Sequence, residues 1–228
     1  GLRVYSVDYA LASDTVKAPA PANDVAAVVH AAAERHAGAL FVGGASAGAH
    51  LAVEAVLTQH DAAMAGRGRV ADALIMLYPT AHRTQRADAA IDAATAQLPE
   101  ARRFDPQRIA DMYAFYLGAD EPAGGGAAAA GGPLAYPTKP VVVGELPVER
   151  LAQLPATVIV NAEADDLRAS GEQFAEQLHA AGVPVVHETQ PATVHGFLNR
   201  PNESSSAEAA SRATIERFVR ALRAIHPQ

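Results

Sequence analysis

Short apolar, β-rich runs alternate along this chain with alanine-rich stretches of helical period. The runs are Leu2–Val7, Ala39–Gly43, Ala73–Tyr78, Ala156–Val160 and Val183–His187, each bounded by Gly, Pro or Asp. Their near-continuous apolar character is that of strands buried on both faces. Between them, Asn23–His36 predicts a helix with Asn23 or Asp24 as N-cap and Val25, Val28, Val29 and Ala32 on one face. Ala47–His60, Ser170–Ala181 and Ala207–Ile225 predict three more, the last amphipathic with Ile215, Phe218, Val219 and Leu222 inward. Such alternation predicts an α/β fold, a mostly parallel sheet with helices on both faces.

The pattern breaks between Thr80 and Leu154. This stretch carries Arg83, Arg86, Arg102 and Arg103, one expected helix at Pro106–Leu117, and the run Ala123–Pro133 built almost wholly of Gly and Ala. That run has too little side chain to bury and reads as a flexible loop. Residues 80–154 are expected to be an excursion over the carboxyl edge of the sheet, where α/β enzymes keep their substrate loops. The remainder fits a single domain over 1–228.

Composition narrows the function. The 228 residues are 50% hydrophobic and 19% charged, with a net charge of −7, a balance that suits one domain with a real core. Lys17 and Lys139 are the only lysines among 18 basic residues, and no basic stripe exists to neutralise a run of phosphates, so no nucleic-acid partner is expected. With no cysteine, there is no disulfide framework, thiolate nucleophile or Cys-based zinc site. No apolar run approaches the roughly 18 residues of a membrane span. No charged and apolar leader pattern is visible around Gly1–Asp8, and a cytoplasmic setting is the expectation.

The chemistry begins where Leu40-Phe41-Val42-Gly43 runs into Gly44-Ala45-Ser46-Ala47-Gly48, followed at once by a predicted helix. This is Gly-x-Ser-x-Gly in a strand–turn–helix setting. A strand that reverses into a helix within one tight turn holds the serine in a strained backbone with its hydroxyl exposed. Side chains at Gly44 and Gly48 are expected to collide with the crossing elements. The helix-start amides, Ala47 first, point to where an oxyanion would form. A phosphate-cradling loop would need Gly-Lys-Ser/Thr, whereas Gly48 is followed by Ala49 and His50.

A serine hydroxyl needs a histidine to take its proton and a carboxylate to orient that histidine. Of nine histidines, His30, His36, His60 and His179 fall in or at the ends of helices and are most simply solvated. His187 lies in the last strand and His226 at the tail, while His82 is a weak substrate-pocket candidate. His50 sits one turn into a helix leading away from Ser46 and suits packing or pocket lining. His195, followed by Gly196 after the last strand, is the best base. The acid lies in Asn161–Arg168, where Asp165, Asp166 and Glu163 are not separated by spacing; a helix-start carboxylate is the plain alternative for one of the aspartates.

Three motifs in order resemble the hormone-sensitive-lipase-like family of α/β-hydrolase esterases, which includes bacterial acetyl esterases. Val7-Asp8-Tyr9-Ala10-Leu11-Ala12, with Pro21, Ala22 and Asp24, is similar to the family's Val-Asp-Tyr-Arg-Leu-Ala-Pro segment and its sequel. Gly44–Gly48 resembles its Gly-Asp-Ser-Ala-Gly elbow, and Asn161–Arg168 with His195-Gly196-Phe197 resembles its acid loop and His-Gly-Phe. Ala10, Ser13 and Ala45 depart from the usual Arg, Pro and Asp. The likeness runs from Val4 to about Phe218.

The resemblance implies an α/β-hydrolase fold with catalytic Ser46, Asp165 and His195, an oxyanion hole that includes Ala47, no cofactor and no metal. It implies a small-molecule ester substrate with short to medium acyl chains, cleaved through an acyl-enzyme. It leaves the oligomeric state open. The family's His-Gly-Gly-Gly loop, its first three strands and its N-terminal cap have no counterpart here. An N-terminally truncated chain of low activity is therefore expected, with Leu2–Val7 either paired directly to the elbow strand or separated from it by an open slot. A catalytically inactive binding module, or an amidase, peptidase or acyltransferase on the same residues, are the alternatives.

Overall fold

The computed structural model describes residues 2–118, 136, 137 and 139–226. The Gly/Ala run Ala123–Pro133 lies outside them. In chain order the longer elements are α1 (Ala20–Arg35), β1 (Phe41–Ala45), α2 (Ala47–Met64), β2 (Ala73–Leu77), α3 (Ala89–Thr95), α4 (Pro106–Leu117), α5 (Val148–Leu151), β3 (Ala156–Ala164), α6 (Arg168–Ala180), β4 (Val185–Val194) and α7 (Ser205–Ile225). The strands form one parallel sheet in the order β1-β2-β3-β4, as the alternation of apolar runs and helices requires.

Burial on both faces explains the composition of the strands. On one face Val42, Leu74, Met76 and Ile159 join α1, α2 and α6 in the main core through Val25, Val53, Val56, Phe174 and Leu178. On the other, Val158 and Val160 meet Phe218 of α7, with Ala221 and Ile225 alongside. Helix α2 is buried over most of its circumference, which suits a helix that lies between α1 and the sheet.

Several local expectations are corrected, among them Ile215 of α7, which is exposed while Phe218 and Leu222 turn inward. Leu2–Val7 is not a strand and does not pair with β1; Leu2 and Val4 are strongly exposed. Its backbone joins no ladder, and it is the side chains of Val7 and Tyr9 that pack against the core. Helix α1 begins at Ala20, after Pro19 and with Pro21 in its first turn, earlier than Asn23 or Asp24. The Asp24 carboxylate instead accepts the Ala10 amide at 2.9 Å. His30 is buried against Gln59, with Nδ1 3.1 Å from its Oε1, and is not solvated.

The start of the excursion is pinned to α6 by a buried hydroxyl. Ser170 Oγ accepts the amides of Ala81 at 2.8 Å and His82 at 3.1 Å, all of them buried. His82 is thereby a structural residue, not part of a substrate pocket: its Nδ1 and Nε2 each lie 3.0 Å from Ser170 Oγ and Gln177 Oε1. Burial holds its imidazole below the ordinary histidine range, only partly offset by the Gln177 contact. Ser170→Ala strands two buried amides, and a loss of about 2–5 kcal/mol in unfolding free energy is expected. Urea denaturation of the variant reads it directly.

Candidate active site

Ser46 occupies the single residue between β1 and α2. Its backbone has φ 55° and ψ −122°, a region L-residues adopt only under constraint. The constraint is visible on both sides. Its amide donates to Leu77 O at 2.9 Å, tying the elbow to β2. A Cβ on Gly44 would lie 2.0 Å from the Gly48 carbonyl oxygen. The expected collision at Gly48 is not found; a Cβ there meets open space, so one of the two glycines is sterically required.

Asp165 and His195 come from the ends of the two strands farthest from β1. Asp165 follows β3 and is buried; its Oδ1 accepts the Leu167 amide at 3.0 Å, leaving Oδ2 free to face His195. His195 follows β4, and its Nδ1 lies 2.7 Å from Asp165 Oδ2 while Nε2 lies 2.9 Å from Ser46 Oγ. A carboxylate only accepts, so Nδ1 carries the proton and Nε2 is left to accept from the serine hydroxyl. The structure thus brings Ser46, His195 and Asp165 into one hydrogen-bonded chain, and the spacing ambiguity among the three acids resolves on geometry.

The other two carboxylates are turned to different work. Glu163 is exposed and accepts the Ala192 amide at 2.8 Å. Ala192 has φ 55° and stands where the β3–β4 register slips, so Glu163 holds the irregular approach to His195. The Asp166 carboxylate accepts from Arg103 Nε at 2.9 Å and from the Phe104 amide at 2.6 Å. Burial pushes Asp166 up, yet the Arg103 guanidinium and the Phe104 amide outweigh it and hold the group below the usual carboxylate range.

Two aromatic residues that spacing did not single out flank the imidazole. The ring centroids of Tyr78 and Phe104 lie 4.9 Å and 4.8 Å from that of His195, both steeply tilted. Tyr78 is buried directly after β2 with φ 31°. Burial, with a lesser push from Asp165, raises its phenol to about 12, so it stays neutral. The only sequence cue to either residue is the position of Tyr78 at the carboxyl end of a strand.

An apolar cavity of about 240 Å³ reaches Ala47, walled by Tyr9, Leu11, Leu51, Met112, Tyr113 and Tyr116 among others. His50 lines it as expected and does not meet Ser46. Its Nε2 donates to Val141 O at 3.1 Å, which leaves Nδ1 to accept from Tyr113 Oη at 3.3 Å. Beneath this wall, Tyr116 donates to the buried Glu54 at 3.0 Å. Burial above all keeps both tyrosines protonated. Among the described residues, no helix is long and apolar enough to cross a membrane.

A strained serine between a parallel strand and a helix, with histidine and aspartate arriving from later strands, defines the α/β hydrolases. The chain belongs to the family described as alpha/beta hydrolase fold, whose model matches residues 1–199, and its solved relatives bear out the likeness to hormone-sensitive-lipase-like esterases. It is similar to esterase LipW from Mycobacterium marinum, at 26% identity and a TM-score of 0.70, over 97% of this chain and 62% of that one. A bacterial heroin esterase matches at 26% identity and a TM-score of 0.59, over 90% of this chain and 60% of that one. An arylesterase from Saccharolobus solfataricus is 41% identical over 56 residues, which make up 25% of this chain and 18% of that protein. The chain spans about three fifths of the length of the solved esterases it matches.

Proposed function

We propose that this chain carries the hydrolytic centre of a serine esterase, with Ser46 as nucleophile, His195 as general base and acid, and Asp165 as the carboxylate that orients it. The observation that carries the reading is the continuous chain from Asp165 Oδ2 through His195 to Ser46 Oγ, at 2.7 and 2.9 Å, on a strained elbow. Ser46 Oγ attacks the ester carbonyl carbon while its proton passes to His195 Nε2. The resulting oxyanion faces the Ala47 amide, a first-turn N–H that has no acceptor within its own helix. Collapse breaks the bond to the alkoxy oxygen, which takes the proton from His195 and leaves as alcohol. Water, deprotonated by the same nitrogen, then releases the acid and regenerates Ser46.

Esters of short to medium acyl chains are the substrates we assign, a size that suits a cavity of about 240 Å³ with apolar walls. Residues 80–154 would shape that pocket through α4, within a single domain over 1–228. The one oxyanion donor we assign is Ala47 N–H, and each donor short of a full hole costs on the order of 10²–10³ in rate. Slow turnover by the 228-residue chain is therefore expected.

A fluorophosphonate probe tests the reading without needing turnover. Mass spectrometry is expected to find the adduct on Ser46 and on no other serine. Parallel assays with matched p-nitrophenyl ester, anilide and alcohol acceptors should show hydrolysis of the ester foremost. An unlabelled Ser46 would rule out the nucleophile, and preferred anilide cleavage or acyl transfer would replace esterase by one of those activities.

A further inference from the structure

We propose that Asp166 is a positioning residue for His195, acting through the backbone and ring of Phe104; this rests on the reading of His195 as the base. The two adjacent aspartates diverge. Asp165 turns inward to the imidazole, while Asp166 turns to the excursion and accepts the Phe104 amide at 2.6 Å and Arg103 Nε at 2.9 and 3.2 Å through its two oxygens. A bond of that length from an amide to a carboxylate is charge-assisted and strong.

What it fixes has no regular structure of its own. Arg103–Asp105 lies between a 3₁₀ turn at Glu100–Arg102 and α4, so no ladder or helix holds the Phe104 backbone. The ring is backed by Arg108, whose Cζ lies 4.8 Å from its centroid and whose Nη1 donates to Arg103 O at 2.6 Å. Ile109 and the fully buried Leu167 pack in the same cluster. From this seat Phe104 reaches His195 at 4.8 Å between centroids, with an interplanar angle of 63°.

Geometry explains why the imidazole needs it. The bond to Asp165 fixes one ring nitrogen and leaves the ring free to swing about the Nδ1–Oδ2 line, which would carry Nε2 away from Ser46. Tyr78, from the end of β2, restrains that swing from one element, and Phe104, from a segment that Asp166 alone ties to the acid loop by a backbone bond, restrains it from another. The Arg103 guanidinium, itself half-buried, steadies the Asp166 carboxylate through side-chain contacts, whereas the bond that holds the Phe104 backbone runs from the Phe104 amide to Asp166 directly.

The test uses the whole chain and two readouts, the second-order rate of fluorophosphonate labelling at Ser46 and kcat and KM on p-nitrophenyl acetate. Asp166→Ala and Phe104→Ala are each expected to lower kcat and the labelling rate by about 10- to 100-fold with KM within about twofold, the scale of a catalytic group slightly misplaced. The double variant should be no slower than the slower single one, because both act along one path. Phe104→Tyr, which keeps the ring, and Asp166→Asn, which keeps an acceptor for the Phe104 amide, should each recover most of the rate, and Arg103→Ala should stay near wild type. Asp166→Ala labelling at the wild-type rate, a loss expressed in KM, or multiplying effects in the double variant would overturn the proposal while the esterase reading stands. Failure of the unaltered chain to label would overturn both.

Discussion

Asp165→Asn is expected to lower the labelling rate of Ser46, and kcat on p-nitrophenyl acetate, by about 10⁴-fold with the fold intact. Asp165 is buried and its two oxygens have separate tasks: Oδ1 accepts the Leu167 amide at 3.0 Å and Oδ2 faces His195 Nδ1 at 2.7 Å. An asparagine keeps its carbonyl oxygen on the amide, because the amide can only donate. Its NH₂ then points at Nδ1, which must give up its proton to accept. The proton moves to Nε2, the atom that has to receive the serine hydrogen. Shape and volume hardly change, so circular dichroism and melting should stay close to wild type while chemistry is lost. A variant that kept a tenth of the rate would remove Asp165 from the mechanism.

Gly44→Ala acts on the backbone and not on the chemistry. The added methyl would sit 2.0 Å from Gly48 O, 2.2 Å from Gly48 C and 2.7 Å from Ala49 N, all main-chain atoms at the start of α2. No side chain can rotate out of the way, so either the elbow opens or α2 shifts off the sheet. A destabilisation of more than about 4 kcal/mol is expected, at the upper end of single substitutions. Gly48→Ala is the matched control: its methyl would enter open space, with no neighbouring element within 4 Å, and alanine in a helix gains up to about 1 kcal/mol over glycine. Urea titration and Ser46 labelling of the pair should therefore separate by orders of magnitude, although the sequence motif treats both glycines alike.

The elements most legible in the sequence were those whose signal is local. Pro106–Leu117 forms a helix at the expected bounds, because Asp105 caps it through the Arg108 amide and Gly118 ends it. The elbow was readable because tight backbone geometry restricts residue type at successive positions. Leu2–Val7 is not a strand because apolar alternation reports burial potential, whereas strand pairing is decided by the path of the whole chain; here only the side chains of Val7 and Tyr9 reach the core. The acid was ambiguous for the same reason: whether Asp165 or Asp166 faces His195 depends on which way the chain leaves β3. Phe104 gave no signal at all, since its contact with His195 spans the excursion and is set by a carboxylate far along the chain.

The order of the sheet divides the site mechanically. Ser46 rides on β1, which among the described residues is held by β2 alone, whereas Asp165 and His195 leave a β3–β4 pair that shares the longest ladder in the sheet. Fraying of β1 would carry Ser46 away and leave the Asp165–His195 pair assembled. If β1 gives way first, fluorophosphonate labelling of Ser46 is expected to fall on warming before the circular dichroism of the core changes, whereas coincident transitions would show that β1 and the core unfold together.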